Sequence, residues 1–190
     1  MRIVAGRFRG RPLAAPEGLA VRPTSDRARE ALFNILVQGK IAERGPALTG
    51  ARVLDAFAGT GALGLEALSR GAAHVVFMEE HVAAEAVLHD NLRRLDVQDE
   101  STVLRADVLR PPPAARHGGP CGLVLMDPPY NLGLAEPALT ALDAAGWLAP
   151  GALVTVELLK SESLATPPGF EPLDERTYGK AKVAFLRRVA

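Results

Sequence analysis

Between residues 51 and 158 short apolar runs alternate with stretches of helical periodicity, and that alternation leaves few folds open. The runs read as strands at 51–55, 74–79, 101–105, 122–127 and 153–158, with helices at 61–70, 81–95 and 134–145. Ala84, Val87, Leu88 and Leu95 form the inward stripe of the helix over 81–95. Strands separated by helices pair in parallel, because each crossover returns the chain in the same direction, and helices then cover both faces of the sheet. The stretch 107–120 breaks the pattern: Pro111-Pro112-Pro113 and His117-Gly118-Gly119-Pro120 stand where a crossover helix would be. Two more strands, a hairpin around Tyr178-Gly179-Lys180, are predicted within 169–188. Ahead of the sheet, a helix over 24–38 is predicted, with Thr24 or Ser25 as cap and Asp26 in its first turn. Ala28, Ala31, Leu32, Ile35 and Leu36 share one face of it. A chain of 190 residues, 48% of them apolar, can build one such domain with a proper core but not two of ordinary size.

The first strand of the sheet leads into a glycine loop. Arg52-Val53-Leu54-Asp55 is followed by Ala56-Phe57-Ala58-Gly59-Thr60-Gly61, then a helix with Leu63, Ala67 and Leu68 on its buried stripe and Gly71 at its end. Glycines at such a point let backbone approach a ligand, with a helix N-terminus behind it. Gly59-x-Gly61-x-x-Gly64, with Glu79 as a ribose ligand, also satisfies the dinucleotide fingerprint. The spacing therefore leaves NAD and S-adenosylmethionine (SAM) both open. Asp55, with three more residues before the first glycine, favours SAM. A dinucleotide turn is tighter because it must seat a pyrophosphate, whereas SAM carries an ammonium that an acid at the strand end can hold.

Asp127-Pro128-Pro129-Tyr130 follows the apolar run Leu123-Val124-Leu125-Met126, at the carboxyl end of a strand, where open α/β sheets bind ligands. Two prolines with fixed φ make this loop stiff. It offers a carboxylate on Asp127, a carbonyl on Pro128 and an aromatic face on Tyr130. An exocyclic amine on a flat ring needs such an array to become a nucleophile. Acceptors on its hydrogens turn the nitrogen towards tetrahedral geometry and withdraw its lone pair from the ring.

Formal net charge is zero, but its distribution is uneven. Residues 1–29 hold seven arginines (Arg2, Arg7, Arg9, Arg11, Arg22, Arg27 and Arg29) against Glu17 and Asp26, with no lysine. The guanidinium fork matches phosphate oxygens and stacks on bases, so an arm over 1–23 is read as a nucleic-acid grip, with 24–190 as the catalytic domain. Its polarity leaves it little to add to a core. A single cysteine, Cys121, excludes an internal disulfide and fits a reducing compartment. No signal core or membrane-length apolar stretch is present, so a cytoplasmic protein is expected, with no membrane partner. His74, His81, His89, His117 and Cys121 lack ligand-like spacing, and no metal is expected.

The order of these motifs resembles the class I SAM-dependent methyltransferases that modify amines. More closely, the chain is similar to the bacterial 16S rRNA guanine-N2 methyltransferases of the RsmD group. The likeness is carried by Met1-Arg2-Ile3-Val4-Ala5-Gly6 with Arg9-Gly10-Arg11, by Arg22-Pro23-Thr24-Ser25-Asp26-Arg27, by the run from Leu54 to Arg70, and by Asp127-Pro128-Pro129-Tyr130. It implies a Rossmann-like α/β fold: a mostly parallel seven-stranded sheet with helices on both faces, a C-terminal antiparallel hairpin and a short N-terminal arm. It also implies SAM as cofactor, held by Asp55, Phe57, Gly59, Thr60 and Gly61, by Glu79 at the ribose, and by Asp107 and Val108 at the adenine. Asp107 has a competing reading as the cap of its own turn. Asp127 and Pro128 would bind the target amine while Tyr130 stacks on the base, a role that needs only the ring. Arg7, Arg9, Arg11, Arg22 and Thr24 would contact RNA, and the implied substrate is guanine 966 of 16S rRNA on the 30S subunit, modified by a monomer. A DNA adenine-N6 methyltransferase would need a separate recognition domain for which there is no room. A protein glutamine methyltransferase would prefer Asn at position 127. A non-catalytic RNA-binding scaffold would not need Asp127, Gly59 and Gly61 intact.

Overall fold

The computed structural model describes residues 1–15 and 26–189. Arg22, Thr24 and the Thr24/Ser25 helix cap therefore lie outside the described residues. Helix α1 (Asp26–Val37) precedes the sheet, and β1 (Arg52–Ala56), α2 (Ala62–Ser69), β2 (His74–Glu79), α3 (Val82–Leu95) and β3 (Ser101–Arg105) follow. The chain continues through β4 (Cys121–Met126), α4 (Ala135–Ala144) and β5 (Leu148–Leu159), and ends in the β6 (Phe170–Tyr178) and β7 (Ala181–Arg188) hairpin. The seven strands form one sheet of order β3-β2-β1-β4-β5-β7-β6. β1 to β5 pair in parallel and β7 runs antiparallel to β5 and β6.

Because the parallel strands are covered on both sides, alternate residues feed two cores. Val53, Val75, Phe77 and Leu125 meet Leu32, Phe33, Leu65, Leu68 and Leu88 of α1, α2 and α3 on one face. Leu54, Val76, Val124 and Met126 meet Leu139 and Leu142 of α4 on the other, with Trp147 fully buried beside them. Trp147 also anchors the proline-rich crossover, its ring N–H donating to the Pro112 carbonyl at 2.9 Å.

One strand differs from its predicted bounds. β5 begins at Leu148, five residues earlier than the apolar run suggests, and its pairing with β4 shifts register between Cys121 and Leu123. Pro150 and Gly151 sit in that irregular stretch, where a bulge accommodates residues a regular ladder rejects. β6 carries Pro172, and it can because β6 is the sheet's edge.

The N-terminal segment differs more. Residues 1–13 form a closed loop joined by a single Arg2–Pro12 bridge, and Ile3 and Leu13 are buried in the helical core. The expectation of an arm too polar to contribute core is corrected here: Ile3, Phe8 and Leu13 turn inward while Arg7, Arg9 and Arg11 between them stay out. Glu66 of α2 holds this segment. Its carboxylate accepts from the Val4 and Ala5 N–H groups at 2.8 and 3.0 Å and pairs with Arg70 at 2.7 Å and Arg29 at 3.6 Å. Gly6, with φ of +80°, lies so close to Ser69 that an added Cβ would stand 1.9 Å from its carbonyl oxygen.

Candidate active site

Chain order reverses between β1 and β4, so the loops leaving their carboxyl ends diverge and leave a crevice. Register sets three loops at one height: Ala56 pairs with Met126 on one side and with Met78 on the other. The glycine loop, the end of β2 and the Asp127–Tyr130 loop therefore converge although 20 to 70 residues separate them in sequence. Between them lies a cleft of about 550 Å³. Phe57, Gly59, Thr60, Glu79, Val108 and Asp127 line it, as does Pro129. Asp55, Gly61, Asp107, Pro128 and Tyr130 are not in its wall. Pro128 instead opens with Pro129 onto a smaller neighbouring hollow beside Glu162 and Leu164.

Asp55 is buried beneath the loop, and its Oδ2 accepts the Gly64 N–H at 2.8 Å. Gly64 is in the first turn of α2, whose own N-cap, Gly61, has no side chain, so β1 supplies the capping oxygen from outside the helix. Burial raises the Asp55 pKa well above the usual carboxylate range; the Gly64 N–H opposes this, while the charges of Asp127 and Glu79 add to it. Oδ1 accepts no hydrogen bond from a described residue. Gly61 has φ of +84° and leaves no room for a Cβ, which would stand 2.4 Å from Leu88.

Phe57 takes φ of +62°, the left-handed region that costs a bulky residue about 1–2 kcal/mol. Bonds from the next two residues hold it there: Ala58 N–H donates to the Met78 carbonyl at 3.0 Å, and Gly59 N–H to Glu79 Oε2 at 2.7 Å. Glu79 Oε1 accepts the His81 N–H at 2.8 Å. Each oxygen thus holds one backbone donor and keeps lone-pair capacity for the cleft. Asp107 accepts the Leu109 N–H at 2.8 Å, so its side chain caps its own turn, while Ala106 and Val108 face the cleft.

The proline loop is pinned to β5 by two acids that sequence reasoning missed. Tyr130 donates its hydroxyl to Glu157 Oε1 at 2.6 Å, and Asn131 N–H donates to Glu162 Oε1 at 2.8 Å. Glu157 follows Val156, which pairs with Met126, so this buried acid stands beside Asp127. The available signal was an acid interrupting a largely apolar run, Leu153-Val154-Thr155-Val156-Glu157-Leu158-Leu159. Burial and the bond to Glu157 push the Tyr130 phenol pKa up, so the hydroxyl stays a donor. The expectation that only the ring matters is revised. Tyr130→Phe leaves a buried carboxylate short of a donor and is expected to lower stability by about 1–3 kcal/mol. Equal unfolding midpoints for this variant and the parent protein would show that the hydroxyl is dispensable.

Of the arginines assigned to RNA, Arg7 pairs with Glu100 and Arg11 donates to the Arg94 carbonyl. Glu100 directly precedes β3 and Arg94 ends α3, so both arginines lie at the amino edge of the sheet, away from the cleft. Arg9 is exposed and makes no ion pair among the described residues. Among those residues no group of three His, Cys, Asp or Glu side chains could hold a metal ion, and no helix is long and apolar enough to cross a membrane.

A sheet of this order, with a glycine loop and an Asp-Pro-Pro-Tyr loop meeting at its switch point, defines the class I methyltransferase fold. A solved structure described as the putative methyltransferase yhhF from Escherichia coli superposes with a TM-score of 0.81 at 36% identity, covering 100% of this chain and 98% of that one. The family profile described as "Conserved hypothetical protein 95" matches residues 1–187. Ribosomal RNA small subunit methyltransferase D of Escherichia coli is 40% identical over 191 residues, spanning 100% of this chain and 91% of that protein. Its namesake in Haemophilus influenzae is 38% identical over 183 residues, spanning 94% of this chain and 89% of that protein. The chain belongs to this family, that of the ribosomal RNA small subunit methyltransferase D proteins.

Proposed function

We propose that this protein transfers the methyl group of SAM to the exocyclic N2 amine of a guanine in 16S rRNA. The expected target is guanine 966, on the assembled or assembling 30S subunit in the cytoplasm, with the protein acting as a monomer. One observation carries the reading: Asp127 of the stiff proline loop lines the same cleft as Gly59, Thr60 and Glu79. An amine-binding acid and a cofactor loop then share one space. The relatives named for ribosomal RNA methylation support the choice of substrate.

The residues present fit SAM. The cleft volume of about 550 Å³ lies in the range of small-molecule sites, and Val82, Ala106 and Val108 give it apolar walls for a flat base. Asp55 Oδ1 is a nearly buried carboxylate oxygen without a described donor, suited to an ammonium, and a cation there would draw the acid back to its charged form. The Gly59–Gly61 backbone shares that end with Phe57 and Thr60. Each Glu79 oxygen keeps a lone pair to accept from a ribose hydroxyl, and Asp107 keeps one oxygen for the adenine amino group beside the Val108 backbone. When bound, SAM supplies a methyl already activated by its sulfonium.

The remaining work falls to the chain's own groups. Asp127 and the Pro128 carbonyl accept the amine hydrogens, hold the nitrogen lone pair towards the methyl and offset the positive charge that develops on nitrogen. Tyr130 presents its ring to a guanine drawn out of its stack. Of the arm, Arg9 is the residue we assign to phosphate, because Arg7 and Arg11 already have protein partners. Arg22 and Thr24 remain assigned to RNA on resemblance.

Incubation with labelled SAM and, separately, rRNA, tRNA, DNA and 30S particles tests the reading, with nucleoside analysis of the product. Label in N2-methylguanosine from rRNA or 30S particles is expected; label confined to DNA or tRNA overturns it. Glu79→Ala is expected to weaken SAM binding by about 1.5–3 kcal/mol in calorimetry, the scale of charged hydrogen bonds. Unchanged affinity there would move the ribose site elsewhere, and NAD binding would restore the dinucleotide reading.

A further inference from the structure

We propose that the rRNA backbone is gripped at the carboxyl edge of the sheet by Arg27, Lys160 and Lys180, on a track that continues to Arg9, and not by Arg7 and Arg11. The inference rests on the rRNA reading above and names the surface that serves it.

β7 runs antiparallel to β5, with Leu159 opposite Ala181, so the β6–β7 turn lies at the end of β5 on the cleft side of the sheet. Lys160 N–H donates to the Lys180 carbonyl at 2.8 Å, which sets the two lysines side by side. The chain has only four lysines, and three of them, Lys160, Lys180 and Lys182, fall within this one structural corner. Across from it stands the first turn of α1: Arg27 and Ala28 share a hollow of about 520 Å³ with Tyr178 and Gly179. Arg27 also lines a second hollow, of about 390 Å³, together with Arg9 and Arg2. One arginine therefore joins the N-terminal loop to the hairpin turn.

What separates these cations from the charged residues beside them is their freedom. Arg9, Arg27, Lys160 and Lys180 are exposed and make no ion pair among the described residues. Their neighbours are neutralised: Lys182 by Glu175 at 3.1 Å, Arg176 by Asp174 at 2.7 Å, and Arg29 by Asp26 at 2.8 Å. Of the nearby acids, Glu162 uses both oxygens on the Asn131 and Leu159 N–H groups, Asp26 pairs with Arg2 and Arg29, and Glu30 is an exposed acid in the hollow that Arg9 and Arg27 share. Exposed, unpaired cations on adjoining segments suit a polyanion, and single-stranded or looped RNA presents one phosphate per nucleotide. Half-buried Tyr178 adds a ring to the same surface.

Location ties the track to the chemistry. Glu157 and Glu162 connect Tyr130 and Asn131 to the last residues of β5, immediately before Lys160. A backbone held by Lys160 and Lys180 thus passes beside the Asp127–Tyr130 loop. A backbone held by Arg7 and Arg11 would pass along the opposite edge of the sheet.

The test compares the parent protein, an R27A/K160A/K180A variant and an R7A/R11A variant, binding transcribed 16S rRNA and purified 30S subunits at a series of salt concentrations. Each lost phosphate contact should flatten the slope of log affinity against log salt by about 0.7–0.9, so the triple variant should lose about two units. S-adenosylhomocysteine affinity, read by calorimetry, should stay at the parent value, since none of the three residues lines the cleft. A parental slope in the triple variant overturns the proposal, as does an equal flattening in R7A/R11A. A parent protein that neither binds nor methylates either substrate would instead refute the rRNA reading, and the inference would fall with it.

Discussion

Turnover of the Asp127→Ala variant is expected to fall by a factor on the order of 100 or more, with S-adenosylhomocysteine binding little changed. The charge that develops on the amine nitrogen arises only as the methyl transfers, so an acid aimed at that nitrogen contributes to the rate and little to cofactor affinity. The surroundings favour a fixed carboxylate. Pro128 and Pro129 restrict the backbone after Asp127, and Glu157 of β5 and Glu162 just beyond that strand hold the next two residues. Single-turnover kinetics on rRNA or 30S particles provide the measurement. A rate within a few-fold of the parent would rule out amine activation by Asp127 and leave the loop as a positioning element alone.

The largest effect on stability is expected from Glu66→Ala. Glu66 is fully buried and accepts from Val4, Ala5 and Arg70 while facing buried Arg29. Its removal strips two backbone donors of their acceptor and takes one carboxylate from Arg70 and from buried Arg29. Breaking a buried pair by deleting one partner costs about 3–5 kcal/mol. In a domain of this size that corresponds to a fall in unfolding temperature of roughly 6–20 °C. Chemical denaturation of both proteins checks it, and a loss below about 1 kcal/mol would mean the N-terminal loop finds other partners. Because α2 carries the glycine loop at its other end, the same variant links the N-terminal segment to the cofactor cleft.

Most of the elements were legible in the sequence. The bounds of β1 to β4 and α2 to α4 agree with the periodicity to within one residue, because both faces of a parallel sheet are buried and each helix repeats its apolar stripe. β5 was legible only in its second half: Pro150 and Gly151 signal a break, and nothing local says that the chain resumes pairing on the same neighbour. The proline-rich crossover was correctly read as lacking an α-helix. Its attachment through Trp147 and Pro112 depends on residues 35 positions apart.

Local chemistry determined the strands, helices, glycine loop and stiff Asp-Pro-Pro-Tyr turn, since each depends on residues only a few positions apart. Resemblance in those same strings pointed to the family to which the chain belongs. The tertiary structure decided which of these pieces meet. Register against β1 brings Asp127 and Glu79 to one cleft, and packing beside β5 gives Tyr130 a buried partner 27 residues away. It also sorted the arginines. In sequence, Arg7, Arg11, Arg27 and Arg29 are alike, yet Arg29 is interior, Arg7 reaches an acid 93 residues on, and Arg27 stays open beside the lysines of the hairpin turn. A charge on a string has no edge or face; the order and direction of the strands confer one, and they are fixed by contacts that no local pattern encodes.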